Sequence, residues 1–115
     1  MHWVWQSLLA QKFTLCVTTE ILAEYEEKIG EHMGTKTAEF SLSTILNLKN
    51  IELVTTWYRF LLLDDEDDDK FVDCSVATNA DFIVSHDKGF KKLKKIPFPK
   101  VTVINSNTFK KLLNL

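Results

Sequence analysis

The stretch "DDEDDDKFVDCSVATNADFIVSHDKGF", residues 64–90, sets six consecutive acids, Asp64 to Asp69, ahead of an apolar pattern. On a helix opening near Asp67, the residues that share a face with Asp68 are Phe71, Val72, Ser75, Val76 and Asn79, the stripe spaced by three and four that turns toward a core. That spacing predicts an inward Asp68, with Asp69 and Asp73 on the helix flank and Asp67 on its outer side. Acids in a first helical turn are favoured by the helix dipole by about 0.3–1 kcal/mol each, which accounts for part of the run. Six in a row exceed that. Unless a cation neutralises them, crowded carboxylates oppose folding, and the hard oxygen donors suit a divalent metal.

Further along the same stretch, Asp87 follows the apolar segment "DFIVS" directly. It therefore stands at the C-terminal end of a predicted strand, where open parallel sheets place their ligand crevices. Asp68 at a helix start and Asp87 at a strand end make a candidate pair of magnesium or manganese ligands, with water completing the shell. The simpler alternative is that Asp87 only caps "DKGFKK", and the residues leave both open. An EF-hand loop from Asp65 would need Gly and Glu where Lys70 and Val76 stand, so it fails. His2, His32 and His86 are too scattered for zinc. His86 draws notice only because it adjoins Asp87. With Gly30, Gly34 and Gly89 as the only glycines, no phosphate-cradling loop or nucleophile elbow is available.

Working outward, the chain alternates helical and strand patterns. Val4, Trp5, Leu8 and Leu9 place a helix over residues 2–11, followed by the strand "FTLCVT". "TTEILAEYEEKIGEHMG" opens on Thr18 or Thr19 as cap, turns Ile21, Leu22, Tyr25 and Ile29 inward, and stops near Gly30 or Gly34. Glu24 and Glu26 both flank that stripe, and periodicity does not choose between them. "TKTAEFSLSTILNLKN" reads as a helix and "IELVTT" as a strand. Residues 67–79 form a helix, "DFIVS" a strand, "DKGFKKLKK" a short helix or turn, "VTVI" a strand and "SNTFKKLLNL" a helix capped by Ser106. Continuous apolar strands separated by helices predict an α/β fold with a parallel sheet covered on both faces.

The 115 residues, 45% hydrophobic and 26% charged, suit a single domain, residues 1–115, with one core. A net charge of -2 gives no overall attraction to nucleic acid or membrane, and no stretch is long enough to span a bilayer. Cys16 and Cys74 lie in apolar runs, so buried thiols and a reducing, cytoplasmic setting are expected rather than a disulfide. Beyond Asp87 the lysines Lys88, Lys91, Lys92, Lys94 and Lys95 form either a solvated helix face or a surface for RNA phosphates. Trp3, Trp5 and Trp57 are expected in packing more than in base stacking.

The segments "TTEILAEYEEKI", "DDEDDDKFVDCSVATNADFIVSHDKGF" and "VTVINSNTF" together resemble the PIN-domain family, specifically the toxin components of bacterial toxin–antitoxin pairs. The resemblance implies a three-layer α/β fold and a metal-dependent ribonuclease that holds Mg2+ or Mn2+ beside the scissile phosphate. It matches Glu24, Asp68 and Asp87 to the family's metal-binding, catalytic acids, Ser85 to a supporting hydroxyl, and Asp65 and Asp73 to further acids of the subgroup. Lys88, Lys91 and Lys92 become candidates for binding the RNA, and a cognate antitoxin becomes an expected protein partner.

One part of the family pattern is not found. It begins with a central strand ending in Asp, the first ligand, whereas here Met1 and His2 run straight into a helix. The expectation is therefore a shortened PIN-like domain, weak or inactive as a nuclease, whose vacated sheet edges favour a homo-oligomer. The alternative function is a non-catalytic remnant that binds an antitoxin or another protein.

Overall fold

The computed structural model describes residues 2–115. It divides into two compact units, Met1–Val54 and Thr55–Leu115, and each is built as an α/β unit around its own parallel strand pair.

In the N-terminal unit, α1 (His2–Leu9) precedes β1 (Leu15–Val17), α2 (Thr19–Met33), α3 (Thr35–Asn47) and β2 (Ile51–Leu53). β1 and β2 run parallel in the register Leu15 to Ile51, Cys16 to Glu52 and Val17 to Leu53. Asn50, just ahead of β2, donates its side-chain amide to the carbonyls of Leu8 (2.9 Å) and Phe13 (2.8 Å). That one residue fixes the turn between α1 and β1. The start of α2 is set by Thr18, whose hydroxyl accepts the Ile21 N–H at 3.2 Å, satisfying a donor that the helix cannot pair itself. Its end is set by Gly34, at φ 91°, a conformation open to glycine and strained for other residues. The reversal there lays α3 back along α2. Ile21 and Leu22 of α2 and Ala38, Leu42 and Ile45 of α3 are buried, while Tyr25 and Ile29, also expected to turn inward, are half-buried.

In the C-terminal unit a segment without helix or strand leads into α4 (Glu66–Thr78), then β3 (Ile83–Val84), the 3₁₀ helix α5 (Lys88–Lys95), β4 (Val103–Ile104) and α6 (Ser106–Leu112). β3 and β4 are parallel, Ile83 beside Val103 and Val84 beside Ile104. The core joins Leu63, Val72, Phe90, Leu93 and Val101, with Phe71, Val76 and Ile83 packed against it. Phe82 meets Phe109 edge to face, ring centroids 5.7 Å apart. Asn79 closes α4 in the left-handed conformation at φ 52°, which Asn tolerates better than most residues.

The element order follows the sequence pattern, and four details differ from it. α4 begins at Glu66, a residue early, because Asp65 serves as its cap. The cap of α6 is Asn105, whose side-chain oxygen accepts the Thr108 N–H at 2.9 Å; Ser106 is the first helical residue instead. Cys16 is half-buried, while Cys74 is buried as expected. Trp57 is 85% exposed, since the segment that carries it lies outside any helix or strand. No helix among the described residues is long and apolar enough to cross a membrane.

Candidate metal site

The six acids divide into distinct jobs once α4 is in place. Asp64 is almost fully exposed and lies 3.3 Å from the Lys92 ammonium, an exposed pair worth about 0–1 kcal/mol. Asp65 caps the helix, its carboxylate accepting the Asp67 N–H at 2.9 Å. Glu66 and Asp67 are exposed in the first turn, where the dipole favours them. Asp69 is buried, and its Oδ1 accepts the Leu63 N–H at 3.0 Å. One turn on, Asp73 is buried too and accepts the Phe60 N–H at 3.1 Å.

Asp69 and Asp73 are therefore not flank residues. The segment 60–63, outside any helix or strand, lies against this side of α4 and needs acceptors for two backbone donors that the strands do not pair. Asp69, Val72, Asp73, Cys74 and Ser75 are the buried residues of α4, so burial spreads beyond the stripe centred on Asp68, to which Val72 and Ser75 belong. Asp68 itself is half-buried and Asp67 exposed, the order that the sequence predicts for these two.

Asp68 and Asp87 meet at Gly89. The point where a Cβ on Gly89 would sit is 3.0 Å from Asp68 Oδ2 and 3.3 Å from Asp87 Oδ1. The two oxygens are thus separated by no more than the sum of these distances. Asp87 acts as the cap of α5 as well, its Oδ1 accepting the Gly89 N–H at 2.8 Å. Capping and convergence with Asp68 hold together, so they are not alternatives. Ser85 holds the other side of this turn: its hydroxyl accepts the Asp87 N–H at 3.0 Å, and its own N–H is fixed to the Ile104 carbonyl at 2.9 Å. Strand β3 thereby aims Asp87 through Ser85. His86 is directed elsewhere, with Nε2 2.7 Å from the Ser106 hydroxyl. The Ser106 N–H points at the same nitrogen from 3.4 Å, which makes Nε2 an acceptor.

Chemically, the pair offers hard anionic oxygens from two elements of one unit. Mg2+ or Mn2+ retains several waters and needs only one or two carboxylates from a protein, so this donor set fits a hydrated cation. Among the described residues no group of three or more His, Cys, Asp or Glu side chains could hold a metal ion. Glu24 is half-buried on α2, in the N-terminal unit, whereas Glu26 on the same helix is exposed.

Next to the pair, α5 turns Phe90 and Leu93 into the core and leaves Lys88, Lys91, Lys92, Lys94 and Lys95 exposed. Two features of this region escape sequence reasoning: the buried work of Asp69 and Asp73, and the position of Gly89. For the first, the spacing by four alongside Val72 and Val76 is a usable signal. For the second, the signal is a glycine two residues after Asp87 in an otherwise lysine-rich helix, where glycine costs about 1 kcal/mol relative to alanine.

A PIN domain family model matches residues 2–89 of the chain. No curated protein matches it, and no solved structure does.

Proposed function

Because the chain belongs to the PIN-domain family, a family generally of nucleases, we propose that it is a metal-dependent ribonuclease of the toxin type. The observation that carries this reading is the approach of Asp68 and Asp87 to one point beside Gly89. Repelling carboxylates brought this close are a cost in a metal-free protein and an asset in a cation-binding one.

Asp68 and Asp87 are the proposed ligands within the C-terminal unit, and Glu24 is a further one by its match to the family pattern. When bound, Mg2+ or Mn2+ would supply Lewis acidity toward a phosphate oxygen and lower the pKa of a coordinated water. The chain's own part is positional. Ser85 and the Gly89 N–H fix Asp87, and α4 carries Asp68 into the same place. Lys88, Lys91 and Lys92 attract the RNA phosphates, with Lys92 exchanging its weak pairing with Asp64 for the substrate. In the overall reaction water adds across the phosphorus–O3′ bond, leaving a 5′ phosphate and a 3′ hydroxyl.

The same reading gives the protein a cytoplasmic antitoxin partner and a homo-oligomeric state. The test is incubation with labelled single-stranded RNA in Mn2+ or Mg2+. Cleavage that stops with chelator and with Asp87→Asn, giving 5′-phosphorylated products, is the expected result. Cleavage that continues with chelator would refute metal-dependent chemistry. Absence of cleavage, together with Mn2+ binding unaffected by Asp87→Asn, would leave the non-catalytic, partner-binding reading in its place.

A further inference from the structure

Each of the three glycines stands where it does for a different reason. Gly34 has the positive φ and nothing within 4 Å of a would-be Cβ, so its backbone conformation demands glycine. Gly30 would place a Cβ 3.9 Å from the Ala38 methyl, an ordinary packing distance between α2 and α3. Gly89 is unlike both. Its φ is not in the left-handed region, so an L-residue could adopt its backbone. What an added Cβ would meet is Asp68 Oδ2 at 3.0 Å, Asp87 Oδ1 at 3.3 Å and Asp87 Cγ at 3.8 Å.

We propose that Gly89 is a positioning residue: its missing side chain is the clearance through which Asp68 and Asp87 come together. This rests on the reading of that pair as a divalent-cation site. A methyl group at Gly89 is tighter against Asp68 Oδ2 than nearly all real Cβ neighbours, so a carboxylate must give way by a few tenths of an ångström. Asp87 is tethered to the same residue, since its Oδ1 accepts the Gly89 N–H at 2.8 Å. The tighter contact, and so the larger displacement, is at Asp68 Oδ2 on the other helix. That shift uses up most of the about 0.5 Å within which binding constellations must be held.

The fold itself should not object to the change. Alanine is the better helix former, and it lowers the conformational freedom of the unfolded chain. Glycine at this position is thus unfavourable for the metal-free protein and useful only for the pair. The two effects of Gly89→Ala are expected to run in opposite directions, which a purely structural glycine would not produce.

The experiment uses the full chain and Mn2+ as the probe, with affinity followed by the loss of the free-ion paramagnetic resonance signal and stability by thermal melting without metal. Gly89→Ala should weaken Mn2+ binding by about tenfold, the scale of removing a supporting group, while the metal-free melting temperature holds or rises. In an Asp68→Ala background the closest contact is gone and only Asp87 Oδ1, at 3.3 Å, remains, so adding Gly89→Ala should lower the already reduced affinity by much less than in the unsubstituted chain.

Mn2+ affinity equal to that of the unsubstituted chain would overturn the role of Gly89 while leaving the cation site standing. Melting lowered by more than about 5 °C would make the glycine a packing requirement and overturn it as well. An unsubstituted chain that binds no Mn2+ would defeat the site itself, and this inference with it.

Discussion

Asp69→Ala removes a buried acceptor from the Leu63 N–H, a bond of 3.0 Å between two residues that are 6% and 7% exposed. A hydrogen bond to a charged acceptor contributes about 1.5–3 kcal/mol, and an unpaired buried N–H costs about 1–3 kcal/mol. These overlap, so the expected loss is about 2–4 kcal/mol, a large share of a stability of about 5–15 kcal/mol for a typical domain. Asp69→Asn keeps an oxygen in place and loses only the charge assistance, about 1 kcal/mol. Relief of repulsion within the acidic run offsets part of that, most visibly at low salt. Urea unfolding followed by circular dichroism gives the global change. Amide exchange at Leu63 gives the local one, where 2 kcal/mol corresponds to about thirtyfold faster exchange. Asp73→Ala should act likewise on the Phe60 amide, with a smaller loss because Phe60 is only half-buried. If the Asn variant is as unstable as the Ala variant, the charge matters and not the bond. If neither changes stability or Leu63 exchange, the structural assignment of Asp69 is wrong.

Asp68→Asn should weaken Mn2+ binding more than Asp67→Asn, because Asp68 reaches the point beside Gly89 while Asp67 is exposed on the helix surface; equal titration curves would contradict this. Converting Lys91 and Lys92 to Gln should flatten the salt dependence of single-stranded RNA binding by about 0.7 in log–log slope for each phosphate no longer neutralised, measurable by fluorescence anisotropy. An unchanged slope would return these lysines to a solvated surface. Phe90→Ala, emptying a position that is 5% exposed in the core, should cost about 3–5 kcal/mol, whereas Lys91→Ala beside it should stay within about 0.5 kcal/mol in the same urea assay.

The helices of this protein are legible because their apolar residues recur at clear helical spacing and their ends carry local chemistry. Thr18 or Thr19 announces α2, and Gly30 or Gly34 its end, from side-chain and backbone preferences that need no tertiary information; the structure selects Thr18 and Gly34. Asp68 and Asp87 can be found the same way, one from helical phase and one from its place after a strand. For Asp69 and Asp73 the spacing by four alongside Val72 and Val76 hints at burial, but their partners, the backbone donors of residues 60 and 63, are not legible. Nothing in the composition of that segment says that it will lie against α4. Nor does helical phase distinguish sharply between Asp68 and Asp69, which are neighbours around the axis; the segment that covers the helix decides which is buried. Gly89 is hidden for a related reason, since its meaning lies in the two carboxylates that crowd it. Asn105 displaces Ser106 as the cap of α6 by a single residue, and both are good capping types.

The 3₁₀ helix α5 is anchored by Phe90 and Leu93 alone, with its lysines in water. Such a division separates two kinds of selection that are usually entangled. Substitutions at the five lysine positions change surface potential at almost no cost to folding, so the attraction for a polyanion is free to drift up or down over generations. The two anchors and Asp87, by contrast, are held fixed by the core and by the cap. A lineage bearing this segment could therefore alter the charge it displays through lysine content alone, with the unit that carries it left intact.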